Sequence, residues 1–316
     1  PTGTRMAYKG ILEAIGHTPL VELPNLSPKP GVHLFAKLEG HNPTGSLKDR
    51  IARYMIEAAE ASGQLTRDRI ILEATSGNTG ISLAMVARVK GYRLTVVMPE
   101  NVSPERTQML DAFGAKIVYS EGSRGTNGAI IQVQKMVQWD ETFFNIFQYG
   151  NPANPLAHYE TTAVEILKDL PHVDAFVAGL GTGGTLMGIG RRLKEANPET
   201  RVIAAAPRPG DTISGLRSLE EGFIPPILDL KLLDSRIMVD SQDAFQGTRE
   251  LMDKEGIFAG ISSGAVLHVA KRVGQRMERG NIVMLLADGG WKYMSTKLWT
   301  TDLTQLQPDM DAKIWW

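Results

Sequence analysis

The residue with the clearest capacity for chemistry in this 316-residue chain is Lys48, at the start of a predicted helix. Ser46 and Asp49 fit an S-x-x-D capping box, which predicts a helix over residues 47–61 that ends before Gly63. On such a helix Lys48 shares one face with small and apolar side chains, those of Ile51, Met55, Ala58 and Ala59. The lysine therefore lies on the side that a helix turns towards a protein core.

A lysine in that position can become a nucleophile. Burial and the positive end of the helix dipole both disfavour the ammonium form, so the pKa of Lys48 is expected to fall towards neutrality. A neutral amine can form a Schiff base with a carbonyl compound. The alternative is a lysine that extends from the first turn into solvent, and this stretch taken alone favours that commoner outcome.

The amino-acid composition excludes several classes of protein. Hydrophobic residues make up 42% of the chain and charged residues 22%, and the net charge is −1. This balance points away from nucleic acid and acidic membranes, and no apolar run approaches the roughly 18 residues that a membrane span needs. The chain has no cysteine, which excludes disulfides and thiolate metal sites, and its six histidines show no ligand spacing, so no metal is expected. A polar start without a signal-peptide core favours a cytoplasmic protein.

Strands and helices alternate along the chain. Apolar, β-branched runs predict strands over residues 69–74, 93–98, 115–119, 142–147, 173–178, 201–206 and 281–287. Helices are predicted between them, among others over residues 103–114, 127–139, 156–168, 185–196, 241–254 and 263–279. Strands separated by helices of 10–15 residues are typical of an α/β protein with parallel sheets. There are enough strands for two sheets, and residues 148–155 are the expected crossing point between them.

Three loops rich in small polar residues precede predicted helices. They are Thr75-Ser76-Gly77-Asn78-Thr79-Gly80, Gly179-Leu180-Gly181-Thr182-Gly183-Gly184-Thr185 and Gly260-Ile261-Ser262-Ser263-Gly264-Ala265. In open α/β folds ligands bind beyond the carboxyl ends of strands, where helix N-termini point amide groups at anions. The first loop suits a carboxylate or a phosphate, and the glycines and hydroxyls of the second form a cup for a phosphate. One such loop is weak evidence, but three loops and a buried lysine favour a catalytic site.

A dinucleotide site is the main alternative for the second loop. Gly179, Gly181 and Gly184 fit the G-x-G-x-x-G fingerprint, which expects an acidic residue about 20 positions later. The next strand ends in Ala206-Pro207-Arg208 without an acid, although Arg208 could contact the 2′-phosphate of NADP. An NADP-binding oxidoreductase thus stays possible, but it leaves Lys48 without a role.

The motifs together resemble the pyridoxal-phosphate (PLP) enzymes of the cysteine synthase family, which share the tryptophan synthase β-subunit fold. The resemblance is carried by Asn-Pro-Thr-Gly-Ser-Leu-Lys-Asp-Arg, Thr-Ser-Gly-Asn-Thr-Gly, Gly-Thr-Gly-Gly-Thr and Gly-Ile-Ser-Ser-Gly-Ala, and it runs from about Leu12 to Leu298. It is closest to the M-type synthases, through motifs such as Asp-Gly-Gly-Trp-Lys-Tyr-Met-Ser-Thr. The family implies two domains, each with a twisted, mainly parallel sheet flanked by helices. We expect residues 41–148 to form the smaller one and residues 1–40 with 149–316 the larger.

The resemblance also implies a role for each matching residue. Lys48 would hold PLP as a Schiff base, remove the Cα proton of the substrate and later return one. The cofactor would be held by Asn78 at its 3′-oxygen, by Ser262 at its pyridine nitrogen and by a phosphate loop of Gly181, Thr182, Gly183, Gly184 and Thr185. The substrate carboxylate would be held by Thr75, Ser76, Thr79 and Gln148. The reaction would be β-replacement on an activated serine: elimination to an aminoacrylate, then attack by a sulfur nucleophile to give L-cysteine.

Several expectations follow from the same resemblance. A serine or threonine dehydratase would use the same Schiff base but let water finish the reaction, and it remains an alternative. The sulfur donor would be sulfide or the thiocarboxylate of a sulfur-carrier protein, and the protein would be a homodimer. We expect the C-terminal Trp315 and Trp316 to pack on the body of the protein or on a partner chain, with docking in the mouth of the site as the alternative.

The position of Arg217 bears on which activated serine is the substrate. Arg217 stands among small and apolar neighbours, so its guanidinium could face inward and bind the phosphate of O-phosphoserine. O-acetylserine, the usual family substrate, offers no charge for an arginine to bind, and some M-type members prefer O-phosphoserine. The alternative is a surface Arg217 that forms an ion pair with Glu220 or Glu221.

Overall fold

The computed structural model describes residues 7–75 and 77–301, with the side chain of Glu221 excepted. Three residues with predicted positions or roles, Ser76, Trp315 and Trp316, lie outside this part of the chain. No helix among the described residues is long and apolar enough to cross a membrane.

Strands and helices alternate along the described chain. The strands are β1 (Leu20–Glu22), β2 (Val32–Leu38), β3 (Ile70–Ala74), β4 (Arg93–Pro99), β5 (Lys116–Ser120), β6 (Phe143–Asn145), β7 (Ala175–Gly179), β8 (Arg201–Pro207), β9 (Ser235–Val239) and β10 (Gly280–Leu286). The α-helices are α1 (Lys48–Ala61), α2 (Asn78–Lys90), α3 (Pro104–Ala112), α4 (Gly125–Trp139), α5 (Ala153–Ala157), α6 (Ala163–Asp169), α7 (Gly184–Ala196), α8 (Ser241–Glu255) and α9 (Ile261–Gln275).

The strands form two separate sheets. The larger has six strands in the order β1-β2-β10-β7-β8-β9, in which only the β1–β2 pair is antiparallel. The smaller has four parallel strands in the order β5-β4-β3-β6. The predicted α/β class with two mainly parallel sheets is therefore confirmed, whereas the exact domain limits stay a prediction.

Three strands of the large sheet and one helix differ from the sequence prediction. Strand β2 was not predicted because polar His33 and Lys37 interrupt its apolar pattern, and edge strand β9 is only partly buried. Antiparallel β1, with three residues, is too short for a clear pattern. The helix predicted over residues 156–168 is interrupted by a π-helical turn over His158–Thr162, which separates α5 from α6.

The start of α1 is fixed by tertiary contacts instead of a capping box, so that prediction was wrong. The Asp49 carboxylate accepts hydrogen bonds from the backbone N–H (2.7 Å) and the hydroxyl of Thr44. The hydroxyl of Ser46 accepts weakly from the N–H of Lys48, at 3.3 Å. The N–H of Leu47 donates to the carbonyl of Ala287, 2.9 Å away, just beyond β10. The large sheet thereby sets where α1, and with it Lys48, begins.

A buried ion cluster holds the first turn of α1 against the large sheet. Arg50 contacts the carboxylates of Glu39 and Glu165, each at 2.7 Å, and Lys37 also contacts Glu165 at 2.7 Å. Burial alone would raise the pKa of Glu39, but the Arg50 guanidinium lowers it below its usual value. Removing one partner of such a buried pair typically costs about 3–5 kcal/mol. The cluster therefore fixes the helix two residues after Lys48.

Candidate active site

The three predicted loops meet at one cleft between the two sheets. Its walls contain most of the predicted site residues: Lys48, Thr75, Asn78, Thr79, Gln148, Gly181, Thr182, Gly183, Thr185, Arg217 and Ser262. Gly184 belongs to the same loop, and the space beside its Cα is filled by Asn154, with which a Cβ would overlap. The sequence thus identified residues that are far apart in the chain and close together in the fold.

Lys48 occupies the wall of the cleft with an amine that is easily deprotonated. Burial lowers the pKa of Lys48 to about 8, although Glu73, when it is ionised, and Asp288 act in the opposite direction. At pH 7 about one such amine in ten is neutral, against roughly one in a few thousand for an unperturbed lysine. The predicted apolar face is confirmed at Ile51, Met55 and Ala59, but Ala58 is exposed.

The second loop forms a cradle at the N-terminus of α7. Gly183 has a left-handed backbone with φ of +89°, and its position brings the first amides of the helix towards the cleft. The Thr182 hydroxyl accepts from the N–H of Gly184 at 3.2 Å, and Thr185 lies beside it on the cleft wall. This arrangement of amides and hydroxyls suits a phosphate.

A buried histidine supports the cradle from behind. His158 lies in the π-helical turn, and its Nε2 is 3.3 Å from the Thr185 hydroxyl while its Nδ1 is 3.0 Å from the Thr162 hydroxyl. Burial lowers the pKa of His158 to about 3, so the ring is neutral near pH 7. The sequence did not indicate this contact, which depends on the interruption of the predicted helix.

Alanine at Gly183 is expected to weaken phosphate binding by about tenfold, because the left-handed backbone disfavours any side chain. The new Cβ would also lie 2.9 Å from the Cδ1 of Leu228. Gly63→Ala is the matched control: Gly63 has φ of +72° and nothing within 4 Å of a Cβ, and it lies at the end of α1. Titration of cofactor-free protein with PLP measures the affinity, and equal losses in both variants would contradict the role of this loop.

The Ser262 hydroxyl lies at the cleft, where both apolar and polar side chains surround it. Ser262 lies in the first turn of α9 beside Val266, Leu285 and Ala287. It has no hydrogen-bond partner among the described residues. A neutral hydroxyl at this wall can contact a neutral ring nitrogen without supplying a charge.

The part of the cleft predicted to bind the substrate carboxylate is built from the first loop and the segment after β6. Thr79 donates its hydroxyl proton to the Gln148 Oε1 at 2.7 Å, and the Thr75 hydroxyl accepts from the N–H of Gly77 at 3.2 Å. These groups lie on the same wall as Lys48. Glu73 lies behind them, and burial raises its pKa to about 8, so this carboxyl is largely neutral near pH 7. Glu73 could have been noticed in the sequence as an acidic residue inside an otherwise apolar strand.

Arg217 points into the cleft, which agrees with the first of its two predicted settings. It is 7% exposed, and its Nη1 donates to the Asn127 Oδ1 at 2.9 Å. The guanidinium also stacks on the rings of Tyr149 and Phe223, about 5 Å from each centroid. Glu220 pairs instead with Arg236, at 2.8 Å. Among the described side chains, no carboxylate pairs with Arg217.

A second group of polar residues, beside the cleft, was not predicted as part of the site. Asp288, Lys292 and Tyr293 follow β10, and all three are almost completely buried. They hydrogen-bond to Asn78 or to one another. Burial lowers the pKa of Lys292 to about 8. Their motif supported the family resemblance, but only the fold brings it next to the first loop.

Comparison with known proteins assigns the family. The family model for pyridoxal-phosphate dependent enzymes matches residues 11–288. A cysteine synthase of Aquifex aeolicus is 42% identical over 306 residues, which cover 94% of each chain. The solved cysteine synthase of Entamoeba histolytica superimposes with a TM-score of 0.89 at 35% identity, covering 98% of this chain and 97% of that one. A hydrogen sulfide-producing enzyme of Fusobacterium nucleatum gives 0.87 at 40% identity, covering 91% and 100%. The chain belongs to the family of pyridoxal-phosphate dependent enzymes.

The residues at the cleft fit this cofactor. An amine of lowered pKa suits covalent attachment, the cradle before α7 suits the phosphate, and the Ser262 hydroxyl suits the ring nitrogen. The predicted cofactor and the predicted fold of the tryptophan synthase β type are thus confirmed by the family. The dinucleotide interpretation of the G-x-G-x-x-G sequence is wrong, because the family binds PLP and not NADP.

Proposed function

We propose that the protein is a cysteine synthase that uses O-phosphoserine as its activated serine. The relatives named cysteine synthase support the reaction, and the inward-facing Arg217 supports the substrate. A phosphate dianion matches a guanidinium that has no carboxylate partner among the described residues. The neutral acetyl group of O-acetylserine gives that guanidinium nothing to pair with.

Bound PLP supplies an electron sink that makes the Cα proton acidic and allows departure of a group from Cβ. Lys48 holds the cofactor, takes the Cα proton and later returns it. Thr75, Ser76, Thr79 and Gln148 hold the substrate carboxylate, and Arg217 holds the phosphate before the Cβ–O bond breaks. With sulfide as the donor, sulfur then bonds to Cβ, and phosphate and L-cysteine are the products. With a thiocarboxylate donor the product is cysteine joined to the carrier through its sulfur, and water must cleave that bond to release L-cysteine.

Cofactor positioning belongs to the same proposal. Asn78 donates to the 3′-oxygen, Ser262 faces the ring nitrogen, and the segment Gly181–Thr185 binds the phosphate. The sulfur donor is sulfide or the thiocarboxylate of a sulfur-carrier protein. We further propose a cytoplasmic homodimer with its smaller domain over residues 41–148.

A product assay tests the reaction. Purified holoenzyme with O-phosphoserine and sulfide is expected to release phosphate and L-cysteine in equal amounts, because each elimination is followed by addition of sulfur. Omission of sulfide is the control, and it is expected to stop steady turnover. Continued release of pyruvate without sulfide would identify a dehydratase and contradict the proposal.

A further inference from the structure

A buried lysine contacts the predicted cofactor residue Asn78 from outside the predicted site. Lys292 is 1% exposed, and its Nζ donates to the Asn78 Oδ1 at 2.6 Å. No carboxylate among the described residues forms an ion pair with this ammonium. A buried ammonium is costly unless its contacts compensate, so a methionine would be the cheaper way to fill the same space. The lysine therefore needs a reason beyond packing.

The opposite side of the Asn78 carboxamide meets a carboxylate. Its Nδ2 donates to the Asp288 Oδ2 at 2.7 Å, and the Tyr293 hydroxyl donates to the same oxygen at 2.8 Å. An ammonium can only donate and a carboxylate can only accept, so the two charges allow one orientation of the carboxamide. Its oxygen must face Lys292 and its nitrogen must face Asp288. One amide hydrogen is then left for a ligand in the cleft that Asn78 lines.

We propose that Lys292, together with Asp288, is a positioning residue that keeps Asn78 as a hydrogen-bond donor to an anionic oxygen of the cofactor. Without the ammonium, Asp288 alone would orient the carboxamide, so Asn78 would be held less firmly with its amide hydrogen towards that anion. This inference rests on the proposed function, which gives Asn78 the 3′-oxygen of PLP. It adds a residue 214 positions from Asn78 in the chain to the machinery of the site.

A double-mutant cycle on the holoenzyme tests the proposal. Lys292→Met is expected to lower kcat about tenfold, the loss of one charge-assisted hydrogen bond, and to shift the visible absorption band of the bound cofactor. Asn78→Ala is expected to do the same or more. Because Lys292 acts through Asn78, the double variant is expected to match Asn78→Ala within about twofold in both readouts.

Lys90→Met is the control, since Lys90 lies at the opposite end of α2 from Asn78, where its Nζ pairs with the Glu60 carboxylate at 2.7 Å. It is expected to leave the absorption band in place. If Lys292→Met does not fold, Asp288→Asn enters the same cycle, because it removes the carboxylate that orients Asn78. Independent losses that multiply in the double variant, or an unchanged band in Lys292→Met, would overturn the inference alone. A wild-type holoenzyme without covalently attached PLP would overturn the proposed function as well.

Discussion

Replacement of Lys48 by alanine is expected to abolish turnover, with a loss of at least about a thousandfold in kcat. The variant loses both the covalent attachment of the cofactor and the base that moves the Cα proton. It keeps the phosphate cradle before α7, so PLP is still expected to bind without a covalent link. Borohydride reduction followed by mass spectrometry measures the attachment: the wild-type chain gains the mass of the cofactor at Lys48, and the variant does not.

Lys271→Met provides the control for this experiment. Lys271 lies on the outer side of α9, where it pairs with Glu250 at 2.7 Å, and it takes no part in the cleft. This variant is expected to keep turnover and covalent attachment. Near wild-type turnover of Lys48→Ala, or reduction of the cofactor onto a different lysine in the wild type, would contradict the assignment of Lys48.

The parts of the site that lie within one strand, loop and helix could be predicted from the sequence. The strands before Thr75 and Gly181 are short, mainly apolar runs, the helix after Gly77 ends before Gly91, and the helix after Gly183 has an apolar face. Parallel strands place such loops at the same edge of a sheet, so their meeting follows from the topology. The predicted capping box of α1 was wrong, but the predicted position of Lys48 was correct. The two predictions are independent, because the apolar face of α1 follows from the spacing of its residues and not from how the helix starts.

The contacts between distant segments could not be predicted. Lys292 and Asn78 are 214 residues apart, and no periodicity connects the segment after β10 with the first loop. Lys37 shows the same limit: a charged residue in a strand lowers the strand signal, and only the cluster with Glu165 explains why it is buried. Polar residues that are buried through tertiary contacts are the ones that local patterns assign to the surface.

The proposal that O-phosphoserine is the activated serine rests on the setting of Arg217. The surface alternative required an ion pair with Glu220 or Glu221, but Glu220 pairs with Arg236 and the side chain of Glu221 lies outside the description. Asn127 and, at 3.5 Å, the Tyr149 hydroxyl are two neutral contacts of the guanidinium, whose five N–H donors leave others for an anion in the cleft. Stacking on Tyr149 holds its plane in place.

Arg217→Ala is therefore expected to lower kcat/KM for O-phosphoserine by about ten- to a hundredfold and to leave kcat/KM for O-acetylserine nearly unchanged. A charge-assisted hydrogen bond of this kind contributes roughly 1.5–3 kcal/mol, which corresponds to that range. Steady-state release of L-cysteine is measured with each activated serine at fixed sulfide, for the wild type and for Arg217→Ala, which gives four values of kcat/KM. The decisive quantity is the ratio of kcat/KM for O-phosphoserine to kcat/KM for O-acetylserine, because a general disturbance of the cleft lowers both values together.

Arg236→Ala controls for the loss of an arginine in the same region. It removes the ion pair with Glu220, the contact that the surface alternative assigned to Arg217. It is expected to leave kcat/KM unchanged for both O-phosphoserine and O-acetylserine. Such an exposed pair contributes about 0–1 kcal/mol to stability, so the fold tolerates its loss. A parallel loss with both donors in Arg217→Ala, or no loss with either, would exclude phosphate recognition by Arg217. The activated serine would then be O-acetylserine. The role of Lys48 would be unaffected, because the Lys48 and Arg217 experiments test different ends of the substrate.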